Sequence, residues 1–249
     1  MNCSSKNRIQ RLKDKSDSNV INKGLIDNIP FRTIICGASG LGKTNFLANM
    51  ILKDEWYNSI FYGDDIYIFS PLKNDTKMNT IISQKEIPEE NVFTEFDDDI
   101  LKEIYDLSVS EFEERTNAKK RIYNKLIILD DLSYSGVLKD KQMGQINRVF
   151  CNGRKHNISI IITSQKYSSQ ISTVQRSNFT SAVLYNTANS QVEAIEQDVN
   201  FLKSRKAFKN MFRDNVVEKR DFLYVNFSNE KKDIYLNKDF KVIDQDKYN

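Results

Sequence analysis

The stretch Gly37-Ala38-Ser39-Gly40-Leu41-Gly42-Lys43-Thr44 satisfies the pattern G-x-x-x-x-G-K-[ST] at every position. An apolar run, Thr33-Ile34-Ile35-Cys36, leads into it, and a helical pattern, Asn45-Phe46-Leu47-Ala48-Asn49-Met50-Ile51-Leu52, leads out of it. Strand, glycine loop and helix in that order turn the pattern from a chance string into a phosphate site. The glycines let successive backbone N–H groups converge on one point, where the helix N-terminus adds partial positive charge. Residues Gly37 to Asn45 are therefore the candidate nucleotide cradle. Lys43 can reach β- and γ-phosphates, and the Thr44 hydroxyl can sit on Mg²⁺.

The pattern continues on both sides of this loop. Strand candidates are Phe31–Cys36, Ile66–Ser70, a short Asn91–Phe93, Lys125–Leu129, Ile158–Thr163 and Ser181–Tyr185. Runs such as Leu126-Ile127-Ile128-Leu129 are apolar throughout, as parallel strands covered on both faces are. Helical patterns alternate with them. Lys139–Arg154 carries Met143, Ile146, Val149 and Phe150 on one face, and Ser190–Arg205 carries Val192, Ile195, Val199 and Leu202. Ser110–Arg121 reads as a charged helix or loop. The alternation predicts an α/β fold with a doubly wound, mostly parallel sheet. Phe222–Phe227 and Asp233–Leu236 read as a C-terminal hairpin. Residues 1–28 are polar and basic and read as an arm, ahead of a single domain over residues 29–249.

The 249 residues suit one large α/β domain, and the formal charge of +3 leaves any basic surface to be local. The cysteines, Cys3, Cys36 and Cys151, have no metal-ligand spacing and point to a reducing, intracellular compartment. No apolar run approaches the ~20 residues of a membrane span, and Asn2 stands where myristoylation requires glycine.

A phosphate loop needs a metal partner from another strand. Lys125-Leu126-Ile127-Ile128-Leu129-Asp130-Asp131 runs apolar residues straight into two carboxylates. Asp130 can hold Mg²⁺, and Asp131 can orient or deprotonate the attacking water. The next buried strand ends in Thr163-Ser164-Gln165, and Gln165 can bond the γ-phosphate or that water. Hydrolysis also calls for a mobile cation; Arg148, Arg154, Lys155 and Arg176 are the candidates. The only histidine, His156, has no evident partner. Neither N-K-x-D nor a D-x-x-G following Asp130 is present, so ATP is favoured over GTP.

Read in order, Pro30-Phe31-Arg32, GASGLGKTNF, LIILDD, the run from Asn152-Gly153-Arg154-Lys155-His156 to Gln165, and Ile171 to Asn178 resemble the DNA-packaging ATPases of poxviruses, other large DNA viruses and virophages. That group is the viral branch of the FtsK–HerA superfamily. The resemblance spans roughly residues 30 to 240 and implies a RecA-like (ASCE) P-loop NTPase of sheet order 5-1-4-3-2, with Ile158–Thr163 between Phe31–Cys36 and Lys125–Leu129. It also implies a homo-oligomeric ring of six or five subunits that threads double-stranded DNA into a preformed capsid at its portal vertex. The setting it implies is the host cytoplasm or viral factory, or association with the virion. By position, Lys43 and Thr44 bind phosphate and metal, Asp130 binds metal, Gln165 is the sensing glutamine, and Arg176 is the arginine finger, with Arg154 and Arg148 as alternatives.

One departure from that family pattern is Asp131, where the wider superfamily has glutamate; its reach is shorter by on the order of 1 Å. Candidate DNA contacts are Lys139, Lys141, Lys203, Arg205, Lys206 and Lys209. Two other readings stay open: an ATP-gated capsid-assembly module that moves no DNA, and a phosphate-loop kinase, for which no basic lid is evident.

Overall fold

The structure is a computed structural model, and it describes residues 27–71, 75–132 and 144–249. Its strands are β1 (Arg32–Cys36), β2 (Ile66–Phe69), β3 (Val92–Phe93), β4 (Lys125–Leu129), β5 (Ile158–Ser164), β6 (Ser181–Tyr185), β7 (Phe222–Asn226) and β8 (Tyr235–Leu236). They form one sheet of order β3-β2-β4-β5-β1-β6-β7-β8. Strands β1 to β6 run parallel. The five that form the core stand as β6-β1-β5-β4-β2, the expected 5-1-4-3-2. β5 thus lies between the strand entering the phosphate loop and the strand carrying the acids.

The expected C-terminal hairpin is present as β7 and β8, and it extends the same sheet. β7 pairs antiparallel with β6 in the register Ser181↔Asn226 to Tyr185↔Phe222. The start of β7 is thereby returned to the edge at which the parallel strands end.

Helices α1 (Lys43–Leu52), α2 (Thr76–Gln84), α3 (Asp98–Asn117), α4 (Gly144–Asn152), α5 (Tyr167–Gln170), α6 (Thr173–Asn178), α7 (Asn189–Val199) and α8 (Arg205–Asn215) cover both faces. Ile34, Ile127, Leu129, Ile160 and Ile162 pack on the α3, α4, α7 and α8 side. Ile35, Leu126, Ile128 and Ile161 pack on the α1 and α2 side. Neighbouring residues in a strand thus enter opposite cores, which is why the central strands have no polar face. Each such side chain contributes about 1.5–3 kcal/mol by leaving water.

Three helix boundaries depart from the sequence expectation. The Ser190–Arg205 pattern is two helices. Asn200 ends α7 by accepting from Leu202 N–H (2.8 Å) while its amide donates to Glu196 (2.8 Å), and Ser204 caps α8 by accepting from Ala207 N–H at 3.0 Å. Leu202 stays buried in the turn, so its apolar period imitates a continuing helix. Ser110–Arg121 belongs largely to α3, whose stripe of Leu101, Ile104, Tyr105, Ser108 and Phe112 begins further upstream. The described part of Lys139–Arg154 is helical over Gly144–Asn152; Lys139, Lys141 and Met143 lie outside the described residues.

Most of the basic arm, residues 1–26, also lies outside the described residues. Asp27 at its end is 1% exposed. Its carboxylate accepts from Ser181 Oγ (2.5 Å), Tyr224 OH (2.7 Å) and Thr33 Oγ1 (3.4 Å), and its N–H donates to Tyr57 OH at 2.8 Å.

Candidate nucleotide-hydrolysis site

The phosphate loop leaves β1 at the edge where the parallel strands end, the crevice that binds ligands in open α/β sheets. Gly37 N–H donates to the Ser164 carbonyl (3.0 Å), and a Cβ on Gly37 would stand 2.5 Å from that of Tyr185. Gly40 and Gly42 have φ of 77° and 109°, the left-handed region that other residues rarely enter. Gly42 thus begins α1 without a side-chain cap, and no acidic residue occupies the first turn. The free N–H groups and the helix dipole are left to an anion. Lys43 Nζ donates to the carbonyls of Gly37 (2.8 Å) and Ala38 (3.2 Å). Burial lowers the pKa of this ammonium, while Asp131, and more weakly Asp130, act in the opposite direction.

The two acids stand on either side of a threonine. Asp130, 2% exposed, accepts from Thr163 Oγ1 (2.7 Å) and Ser70 Oγ (3.3 Å). Burial pushes its carboxyl above the usual carboxylate range; the Thr163 bond opposes that, and Asp131 adds to it. Asp131 has φ of 47°, uncommon for a residue with a side chain. Its N–H donates to the same Thr163 Oγ1 at 2.9 Å. Gln165 Nε2 donates to both Asp131 carboxylate oxygens, at 3.0 and 3.3 Å. Behind it, Gln170 Oε1 accepts from Ser164 Oγ (2.9 Å), Gln165 N–H (3.2 Å) and Lys166 N–H (2.8 Å), which fixes the end of β5.

A cleft of about 630 Å³ joins these parts. The loop from Ser39 to Asn45, Asp130, Asp131 and Thr163 line it, and so do Trp56, Tyr185, Arg220, Phe222, Lys238 and Phe240. That volume is typical of a small-molecule site. Thr44 and Asp130 offer hard oxygen donors to the same space, and a divalent cation there would offset the cost of two adjacent carboxylates. No group of three or more metal-ligating side chains occurs among the described residues. A Mg²⁺ held by one or two protein oxygens and completed by phosphates and water fits this donor set.

The candidate arginines lie elsewhere. Arg176, in α6 ahead of β6, is paired with Asp198 and lies over the Tyr167 ring at 5.5 Å. Arg148 bonds Asp106 at 2.9 Å and stacks on Tyr105 at 4.2 Å. Arg154 is exposed, in the turn Gly153–His156 ahead of β5, and has no hydrogen bond or ion pair among the described residues. Arg154 and Arg176 precede parallel strands, so they stand at the sheet edge opposite their own chain's phosphate loop. Among the described residues, Arg220 is the one arginine that lines the cleft. His156 packs edge-on against Phe112 and Tyr105, a structural position. In the basic cluster, Lys209 pairs with Glu193 (2.8 Å) and Arg205 with Glu196 (3.5 Å).

The sequence alone gives no role to Ser70 or Gln170 and shows Thr163 only as one of the residues that end a buried strand. Their signal is positional: each ends or follows a strand next to β1 or β4, which becomes visible once the strand order is known.

The same fold occurs in viral packaging enzymes. The structure of B204, the DNA-packaging ATPase from Sulfolobus turreted icosahedral virus, matches with a TM-score of 0.56 at 14% identity, over 86% of this chain and 98% of that one. The genome packaging NTPase B204 from Sulfolobus turreted icosahedral virus 2, in complex with ATP-gammaS, matches at 0.53 and 15% identity, over 80% and 92%. EssC (ATPases 2 and 3) from Geobacillus thermodenitrificans matches at 0.50 and 14%, over 67% of this chain and 34% of that one. At such identities the likeness shows the P-loop ATPase fold. No curated protein matches the sequence. No helix among the described residues is long and apolar enough to cross a membrane. The model of the poxvirus A32 protein family matches residues 19–248, nearly the whole chain, and the chain belongs to that family.

Proposed function

We propose that this ATPase packages a viral genome by ATP-driven translocation of double-stranded DNA into a preformed capsid. It would work as a homo-oligomeric ring at the portal vertex, in the host cytoplasm or viral factory. The observation that carries this reading is the Asp131–Gln165 contact beside Lys43, because it joins the hydrolytic groups to a strand end able to sense the γ-phosphate.

Lys43 would exchange the Gly37 and Ala38 carbonyls for β- and γ-phosphate oxygens. Thr44 and Asp130 would hold Mg²⁺, which when bound neutralises charge developing on the phosphates. Asp131 orients the attacking water and accepts its proton as the water oxygen bonds to the γ-phosphorus and the bond from that phosphorus to the β,γ-bridging oxygen breaks, releasing ADP and phosphate. Its left-handed backbone, held by the bond from Asp131 N–H to Thr163 Oγ1, aims the carboxylate, which offsets the shorter reach of aspartate. Gln165 turns from Asp131 to the γ-phosphate when that group is present and returns when it has left. The segment after β5 carries α5 and α6, so this turn can be relayed to the subunit surface.

A positive charge for the transition state is best supplied by a neighbouring copy, because Arg154 lies free at the edge opposite its own cleft. Such fingers accelerate γ-phosphate release by about 10³–10⁵-fold. Lysines, arginines and backbone amides facing a pore would grip DNA by its phosphates, without base readout.

The test is ATP hydrolysis with and without duplex DNA at low and high salt. The motor predicts turnover stimulated by duplex, lost at high salt as phosphate contacts are screened, and absent in Lys43→Ala. Turnover indifferent to every form of DNA would remove the translocase reading in favour of an ATP-gated assembly module.

A further inference from the structure

The cleft extends to both sides of the phosphate loop, and its two ends differ in chemistry. Asp130, Asp131 and Thr163 come from β4 and β5, on one side of β1. On the other side stand β6 and β7, whose pairing sets Tyr185 opposite Phe222. A triphosphate with its γ end at Asp131 therefore directs its nucleoside toward the C-terminal hairpin. That wall is aromatic and cationic. Trp56 and Phe240 pack edge to face with centroids 5.3 Å apart, and Phe222 supports Phe240 at 5.9 Å. Phe222, like Phe46 beneath it, is core, under 10% exposed, whereas Trp56 and Phe240 are only half-buried and line the open cleft. Phe240 has φ of 56°, a left-handed backbone that is a genuine outlier for a bulky residue and of a kind that clusters at ligand clamps. Lys238 is neutralised by Asp221 at 2.8 Å. Arg220 is exposed and has no hydrogen bond or ion pair among the described residues.

We infer that the C-terminal hairpin forms the nucleoside subsite of the cleft, with the base against Trp56 and Phe240 and the Arg220 guanidinium reaching it from the β7 side. This rests on the reading that the triphosphate occupies the phosphate loop. Aromatic rings and guanidinium planes both stack on bases, and no other charged group claims Arg220. The hairpin, which lies outside the parallel core, thereby becomes part of the ligand site.

Calorimetric titration of the full chain with Mg-ATP and with Mg-tripolyphosphate separates the two halves of the cleft. Arg220→Ala and Phe240→Leu should each weaken ATP on the order of tenfold while tripolyphosphate binding is unchanged. Lys43→Ala should weaken both ligands. Trp56 is the only tryptophan in the chain, so its emission reports on the base directly. ATP should alter it, and tripolyphosphate should not. Equal loss of both ligands in Arg220→Ala would assign Arg220 to the phosphates and overturn the inference. So would ATP that binds without touching Trp56 emission or depending on Phe240. If the wild type bound neither ligand, the phosphate-loop reading itself would fall.

Discussion

Thr163→Val is the substitution that tests how the two acids are held. Valine has nearly the shape of threonine, so the fully buried position stays filled. The hydroxyl is lost, and with it the 2.7 Å bond to Asp130 and the 2.9 Å bond from Asp131 N–H. Losing a hydrogen bond to a charged acceptor costs about 1.5–3 kcal/mol, and stranding a partly buried N–H costs about 1–3 kcal/mol. Part of this overlaps, so about 3 kcal/mol in total is expected. For a chain of this size that lowers Tm by about 6–12 °C. Turnover should suffer more than stability. Asp131 sits in a left-handed backbone that the Thr163 bond helps to hold, and a misplacement of about 1 Å costs about 10²-fold in rate. The phosphate loop is untouched, so KM for ATP should stay within about threefold while kcat falls. Thr163→Ser restores the hydroxyl and should recover most of the rate. Steady-state phosphate release at saturating ATP, below the melting temperature of each variant, is the assay. A Thr163→Val enzyme with wild-type kcat, or a Thr163→Ser enzyme as slow as the valine variant, would refute the reasoning.

Other predictions follow from the same geometry. Gln165→Ala should lower kcat by about 10²-fold or more while ATP affinity measured by calorimetry is kept; unchanged turnover would remove Gln165 from the chemistry. Arg154→Ala should leave Tm unaltered yet slow the assembled ring, and mixing it with Lys43→Ala subunits should restore some activity, since one copy then supplies the arginine and the other the lysine. Equal inactivity of mixed and unmixed rings would count against Arg154. Arg176→Ala should instead lower Tm by breaking the Asp198 pair, which differential scanning calorimetry would detect. Burial pushes the Asp27 carboxyl from 3.8 up to about 6, against the bonds from Ser181, Tyr224 and Thr33. The folded chain therefore holds this proton more tightly than the unfolded one. The stabilisation is complete below the unfolded pKa and is lost as pH rises through about 6, a change of about 3 kcal/mol. Asp27→Asn should remove that slope, so urea melts at pH 4.5 and 7.5 should show the variant gaining on the wild type at the higher pH.

Much of this site was legible because its parts are local. The loop from Gly37 to Thr44 and the run into Asp130-Asp131 carry their chemistry in consecutive residues, and apolar strands flank both. Gln165 is legible in the same way, as a polar residue ending a buried strand. What was not legible depends on register between strands distant in the chain. Thr163 reaches Asp130 because Leu129 pairs with Ile162, and Ser70 reaches it because Leu129 also pairs with Phe69. Arg220 and Phe240 join the cleft only because β7 runs antiparallel. The periodicity of Ser190–Arg205 misled for a related reason: burial of Leu202 is a tertiary fact that a turn satisfies as well as a helix. Arg176 and Arg154 were visible as charges, but their edge of the sheet was not.

The carboxylate of Asp27 has a mechanical consequence. Its partners sit on three adjacent strands, β1, β6 and β7, at Thr33, Ser181 and Tyr224, and the backbone beside it is tied to Tyr57. Tension applied to the chain ahead of residue 27 would load β1, the strand that enters the phosphate loop, together with β6 and β7, rather than peel a loose end from the rim of the sheet.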